Sequence, residues 1–321
     1  MRYPTLFLTL AAVCCAVHGS YAQSPDLAVR YYESGEQKLK LEDWNGAAED
    51  FTKAIEADAR LHAPKWQRKG VITGDAFDSS HALSNEISVS DSLTALAFTN
   101  RGAARFYSGD FDQAIADYEQ ALRIKPKLAE AYAGLGAAHN AKGDRDQALI
   151  DYNRALAIDQ CLYAAYEDRG VLRRELDDLP GALVDLNEAI TLKPKAAEAY
   201  VQRGYVLLGQ KNYPSAISDF DRAITLKPTL AWAYNGRGTT FMKQGYIEQA
   251  IHDFDAALDL DATIAEAYGN RGLALMVQGK EAEARKDIDK CLQLSPDLKA
   301  DLEGRMQVAK HLKQGNNPGL P

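Results

Sequence analysis

Aspartate stands at Asp50, Asp117, Asp151, Asp185, Asp219, Asp253 and Asp287, and from Asp117 onward the interval is constant. Arginine precedes five of them at a fixed offset, as Arg101, Arg169, Arg203, Arg237 and Arg271. Carboxylates beside guanidinium groups can move protons or bind anions, but catalysis needs one asymmetric constellation. A pair copied into unit after unit is instead read as a structural ladder, in which partly buried charges must be paired. Leu135 and Ser34 interrupt the arginine series, which predicts other partners for Asp151 and Asp50. The spacing leaves open whether the pairs form within a unit or across its boundary.

The remaining reactive residues form no constellation. His62, His81, His139, His252 and His311 are spread over the chain, with no pair at metal-ligand spacing and no nearby cysteine pair, so no metal site is expected. Gly134-Leu135-Gly136 and Gly236-Arg237-Gly238 lack the preceding strand and the third glycine of a nucleotide site. No nucleophile elbow or phosphate loop occurs. The expectation is a protein that is not an enzyme and carries no cofactor or metal.

The elements that position these residues follow from glycine. Gly102, Gly136, Gly170, Gly204, Gly238 and Gly272 recur at the same interval as the aspartates, and Gly35 belongs to an earlier unit. Placing glycine at position 8 divides the chain into units 28–61, 95–128, 129–162, 163–196, 197–230, 231–264 and 265–298. Position 20 is alanine in every one: Ala47, Ala114, Ala148, Ala182, Ala216, Ala250 and Ala284. Position 24 is large and apolar, as Phe51, Tyr118, Tyr152, Leu186, Phe220, Phe254 or Ile288. Position 27 is small again, alanine in every unit but the last, where Cys291 stands. Spacings of four and three put these residues on one helix face, small-large-small, so that helices can approach closely. A second aromatic, one helical turn before the glycine, marks another helix in each unit, as at Phe98, Tyr132, Tyr200 or Tyr234. Pro126, Pro194, Pro228 and Pro296 end the second helix.

This pattern, written out in AYVQRGYVLLGQKNYPSAISDFDRAITLKP (199–228), resembles the tetratricopeptide repeat family over most of the chain. The resemblance implies an all-α, right-handed superhelical solenoid of antiparallel helix pairs, whose first helices line a concave groove that captures peptides or partner domains. In this family positions 2, 5, 9, 12 and 13 face the groove. On that basis Tyr205, Leu208, Trp232, Asn235, Met242 and Met276 are expected to form the partner-binding wall, edged by Glu198 and Glu266. The carboxylate-clamping subtype is not expected, because Tyr32, Glu36, Ala164 and Ala165 stand where it carries lysine, asparagine and a basic residue.

Between the first two units lies the stretch 62–94, just short of a full unit, in which Trp66, Gly70 and Ala82 keep the repeat's spacing while Glu86 replaces the large apolar residue. It is read as a degenerate repeat or an insertion. Residues 299–314 carry an apolar stripe at Leu302, Met306, Ala309 and Leu312, predicting a capping helix, and 315–321 a tail.

Residues 1–22 read as a secretory signal peptide, with Arg2, an apolar stretch from Leu6 to Val17, and small residues before a cleavage site near Ala22. As a helix that stretch would span about 18 Å, short of the roughly 30 Å of a bilayer core. A short leader, 23–27, follows, and the product is expected to be exported, periplasmic or extracellular. The formal charge of −8 falls to −9 without Arg2, which argues against nucleic acid as a partner. Stable membrane insertion is not expected either. Cys161 and Cys291 lie near the ends of units almost four repeats apart, so no disulfide between them is expected. The leading expectation is an adaptor that binds protein or peptide partners in its groove. A structural subunit of a secretion or envelope complex is the alternative, a hydrolase regulator with activity of its own is disfavoured, and the oligomeric state is open.

Overall fold

The computed structural model describes residues 27–62 and 80–313. The expected signal peptide, most of the leader, much of 62–94 and the whole of the tail lie outside the described residues. Fifteen α-helices and one short 3-10 turn are found among the described residues, with no strand. They are α1 (Leu27–Lys40), α2 (Trp44–His62), α3 (Ser80–Tyr107), α4 (Phe111–Ile124), α5 (Ala129–Ala141), α6 (Arg145–Ile158), α7 (Tyr163–Glu175), α8 (Leu179–Leu192), α9 (Ala197–Gly209), α10 (Tyr213–Leu226), α11 (Ala231–Lys243), α12 (Ile247–Leu260), α13 (Ala265–Val277), α14 (Glu281–Leu294) and α15 (Lys299–Lys313). Each repeat is a pair of antiparallel helices. The expected boundary between 94 and 95 falls inside α3, which is 28 residues long where the other first helices have 13 or 14. The chain forms two compact units, residues 1–172 and 173–321, the division falling within α7.

The turn inside each pair is set by position 15, which is left-handed throughout: Gly109, Gly143, Gly245 and Gly279, but also Glu42, Asp177 and Lys211. The next residue starts the second helix. Asp43, Asp110, Asp144, Asp178 and Asn212 accept the backbone N–H of the third residue on, at 3.0–3.4 Å, satisfying one free donor of the helix end.

The repeated glycine makes room for the ring at position 24. A Cβ at Gly204 would lie 2.8 Å from the Phe220 ring, and one at Gly236, in the next repeat, closer still. Phe220 is therefore wedged between consecutive first helices, as Tyr118 is between Gly102 and Gly134. The alanines at positions 20 and 27 bring the helices near enough for this slot to close around the ring.

The ladder pairs in both directions. Arg203, Arg237 and Arg271 each hold the aspartate of their own repeat with Nε and Nη2 at 2.7–2.8 Å. With Nη1 they reach back to the preceding repeat, to Asn187, Asp221 and Asp255 at 2.6–2.8 Å. Such a two-handed clamp suits a planar guanidinium and would not suit lysine. Where the series is interrupted the aspartate is held otherwise. Asp151 meets His139 Nδ1 at 2.8 Å and accepts from Gln147 Nε2 at 3.1 Å. Asp50 accepts from Ser34 at 2.6 Å and pairs with Lys38 at 2.7 Å; burial pushes its pKa up, but these partners hold it below the usual carboxylate value. Among the described residues Cys161 and Cys291 are free thiols, the first exposed and the second buried.

Candidate functional site

In the unit formed by residues 173–321, the first helices α9, α11 and α13 and the capping helix α15 carry one connected set of polar groups. Trp232, Asn235, Thr239 and Lys243 follow one another along α11 at spacings of three and four, which return to the same helix face. Trp232 is 37% exposed, the most accessible large aromatic on these helices. Its backbone carbonyl accepts the Tyr205 hydroxyl at 3.1 Å, and that hydroxyl accepts from Asn235 Nδ2 at 3.4 Å. Asn235, 3% exposed, also accepts from Asn270 Nδ2 at 3.2 Å, and the same amide reaches Thr239 Oγ1 at 3.2 Å. Arg305 of α15 completes the series by donating to Asn270 Oδ1 at 2.7 Å.

At the other end, the Arg174 guanidinium sits 5.8 Å from the Tyr205 ring centre, a cation–π contact. The ring also packs edge-on against Phe220. Burial raises the Tyr205 pKa to about 12, and the Asn235 hydrogen bond and the Arg174 charge oppose the rise only in part. The phenol is thus a fixed neutral donor that ties α9 to α11. Lys243 is partly buried, and its pKa is lowered, first by that burial and then by the Arg305 charge, with Lys211 adding to the effect and Asp301 opposing it.

The expected wall is only partly an open surface. Trp232, Tyr205, Asn235 and Leu208 cluster on α9 and α11, with Leu208 packed beside Phe220 and Ala233. Met242 and Met276, 1% and 8% exposed, lie in the hydrophobic core with Leu273 and Phe254. Position 12 meets the neighbouring helix here before it meets solvent, so these two side chains support the face from beneath. Glu198 is ion-paired with Lys227 at 2.7 Å, while Glu266 is exposed on α13. Lys243 and Arg305 were not singled out from the sequence. Lys243 occupies position 13, one of the groove-facing positions, whereas Arg305 belongs to a helix with no repeat register from which to place it. Among the described residues no cluster of His, Cys, Asp and Glu could hold a metal ion, and no helix is long and apolar enough to cross a membrane.

Comparison with known proteins agrees with this architecture. Family models described as TPR repeat and tetratricopeptide repeat match residues 102–143, 129–160, 204–245 and 235–298. The fold is shared with a tetratricopeptide repeat protein from Parabacteroides merdae at TM-score 0.59 and 18% identity, covering 89% of this chain and 98% of that one. It is shared with a chain of the APC/C hetero-tetramer Cut9-Hcn1 at TM-score 0.61 and 16% identity, covering 94% and 55%. A Pseudomonas aeruginosa pilF structure matches at TM-score 0.54 and 21% identity, covering 70% and 97%. No curated protein sequence matches the chain.

Proposed function

The chain is a tetratricopeptide repeat protein, a protein-interaction scaffold, and from that premise we propose that it is an exported adaptor whose C-terminal unit binds a peptide segment of its partner along α9, α11 and α13. The observation that carries this reading is Trp232, an accessible indole on a face whose supporting residues are immobilised by hydrogen bonds. Aromatic anchors on rigid supports contribute most of the energy in peptide and protein interfaces. Tyr205, Asn235, Leu208, Glu198 and Glu266 surround it, and Met242 and Met276 back it. Nothing in this set performs chemistry on a bound segment, so the activity is capture and presentation.

Crosslinked pull-down from the native compartment tests the site. A folded Trp232→Ala, Tyr205→Ala variant should lose partners that the wild type captures, and retention of every partner would contradict the placement. Export rests on the Arg2, Leu6–Val17 and Ala22 pattern. Sequencing the mature N-terminus should begin at Gln23, and an intact Met1 would contradict it.

A further inference from the structure

The face that bears Trp232 ends in positive charge. Lys243 lies one helical turn beyond Thr239, which Asn270 ties to Arg305, so the lysine of α11 and the arginine of α15 lie close enough for the Arg305 charge to act on Lys243. Lys243 makes no ion pair among the described residues, although it is partly buried. Arg305 donates to Asn270 at 2.7 Å, and its ion pair among the described residues is with Asp301, at 3.4 Å. Lys211, in the turn after α9, adds a third cation to the field, and Asp301 is the acid set against them. A half-desolvated cation facing other cations is a costly arrangement that a bound anion relieves.

We propose that the segment held on this face is acidic: an extended peptide whose large apolar side chain seats on Trp232 and whose carboxylate meets Lys243 and Arg305. Trp232 and Lys243 are separated by about 16 Å along the axis of their shared helix. An extended peptide covers that distance in about five residues. The carboxylate is an aspartate or glutamate side chain or a chain terminus, and the acids at Glu198 and Glu266 lie nearer the Trp232 end. This inference rests on the proposed peptide-binding function and specifies its ligand.

Selection of random dodecapeptides on the immobilised full chain tests it, using libraries with the peptide terminus free and blocked. Enriched peptides should carry an acid about four to six residues from an aromatic or large aliphatic residue, as the extended span requires. Comparison of the two libraries identifies side chain or terminus. The chosen peptide should bind Lys243→Gln and Arg305→Gln variants roughly tenfold more weakly, while selection on Lys243→Glu should lose the acidic preference. Peptides that depend on Trp232 but carry no acid would overturn the charge inference and leave the groove reading standing. Failure of the wild type to enrich any peptide that Trp232→Ala loses would overturn both.

A separate observation concerns residues 62–94. The arginine at position 7 reaches back to the preceding repeat at a sequence separation of 16, as in Arg169 to Asn153, Arg203 to Asn187 and Arg237 to Asp221. Arg101 makes the same bond to Thr52 at a separation of 49. Asn270 reaches Asn235 at a separation of 35, whereas Asn100 reaches Tyr32 at 68. Both enlarged separations exceed the ordinary ones by the length of 62–94. The geometry points to 62–94 as an insertion, with 95–128 stacked on 28–61 as the next consecutive repeat. Deleting 62–94 and joining Leu61 to Ala95 should leave a cooperatively folded array with unchanged helicity per residue. In both chains, Arg101 and Thr52 should show the same coupling in a double-mutant cycle. Absence of that coupling in the full chain would overturn the inference whether or not the deletion folds.

Discussion

Residues 1–172 and 173–321 build the same repeat but hold their buried aspartates differently. In the first unit each has its own solution: Ser34 and Lys38 for Asp50, Arg101 with Arg105 for Asp117, His139 with Gln147 for Asp151. In the second, Asp185 meets Arg173 at 2.9 Å, while Asp219, Asp253 and Asp287 are each clamped by one arginine that also grips the repeat before it, as Arg101 alone does in the first unit among the described residues, holding Asp117 and Thr52 together. The comparison teaches that position 23 requires donors rather than arginine. What arginine adds is a bond across the repeat boundary, and in the second unit it adds it at three successive boundaries, from the helices α9, α11 and α13 that also carry Tyr205, Trp232, Asn235 and Asn270.

The largest expected effect separates the two solutions. Arg237→Ala should cost about 3–5 kcal/mol, because Asp253 is 2% exposed and loses its bidentate partner. Arg101→Ala should cost less, about 1–3 kcal/mol, since Arg105 remains 2.6 Å from Asp117. Urea unfolding, read together with hydrogen exchange of α12 and α4 amides, compares them, and equal losses would remove the distinction. Next, Gly236→Ala should destabilise by about 1–3 kcal/mol because the new methyl collides with the Phe220 ring. Gly304→Ala in α15 faces open space and should be neutral or stabilise by up to about 1 kcal/mol.

His139→Ala should cost about 1–3 kcal/mol, leaving the buried Asp151 with Gln147 and the more distant Arg154 at 3.5 Å. A cost near zero would mean that the first unit's aspartates need fewer partners than the second's. A further effect is alkaline. Tyr205 is neutral in the fold up to about 12, against 10.0 unperturbed, so its contribution to stability is complete below pH 10 and lost as pH rises toward 12. Tyr205→Phe should flatten that part of the stability profile, and an unchanged profile would place the phenol in ordinary solvent.

The period, the helix pairs and the small-large-small face were legible in the sequence because every layer repeats the same contacts. The partners of Asp50 and Asp151 were legible only as exceptions. The bond from Arg305 to Asn270 was not, because the capping helix has no second helix to fix its register. Nor was the burial of Met242 and Met276, since position 12 lies where the groove side of a helix turns toward its neighbour. Residues 62–94 keep enough of the repeat's spacing at Trp66, Gly70 and Ala82 to look like a unit, and the proposal that they are an insertion rests on the cross-repeat bonds made by Arg101 and Asn100.

Peptide binding at Trp232 is the most direct test of the central claim. A peptide selected on the wild-type chain should bind the folded Trp232→Ala protein at least tenfold more weakly in fluorescence anisotropy, with Val184→Ala, an exposed apolar change on α8, leaving its affinity unchanged. Equal affinity for the wild type and Trp232→Ala would show that partners are held elsewhere and contradict the assignment of this face.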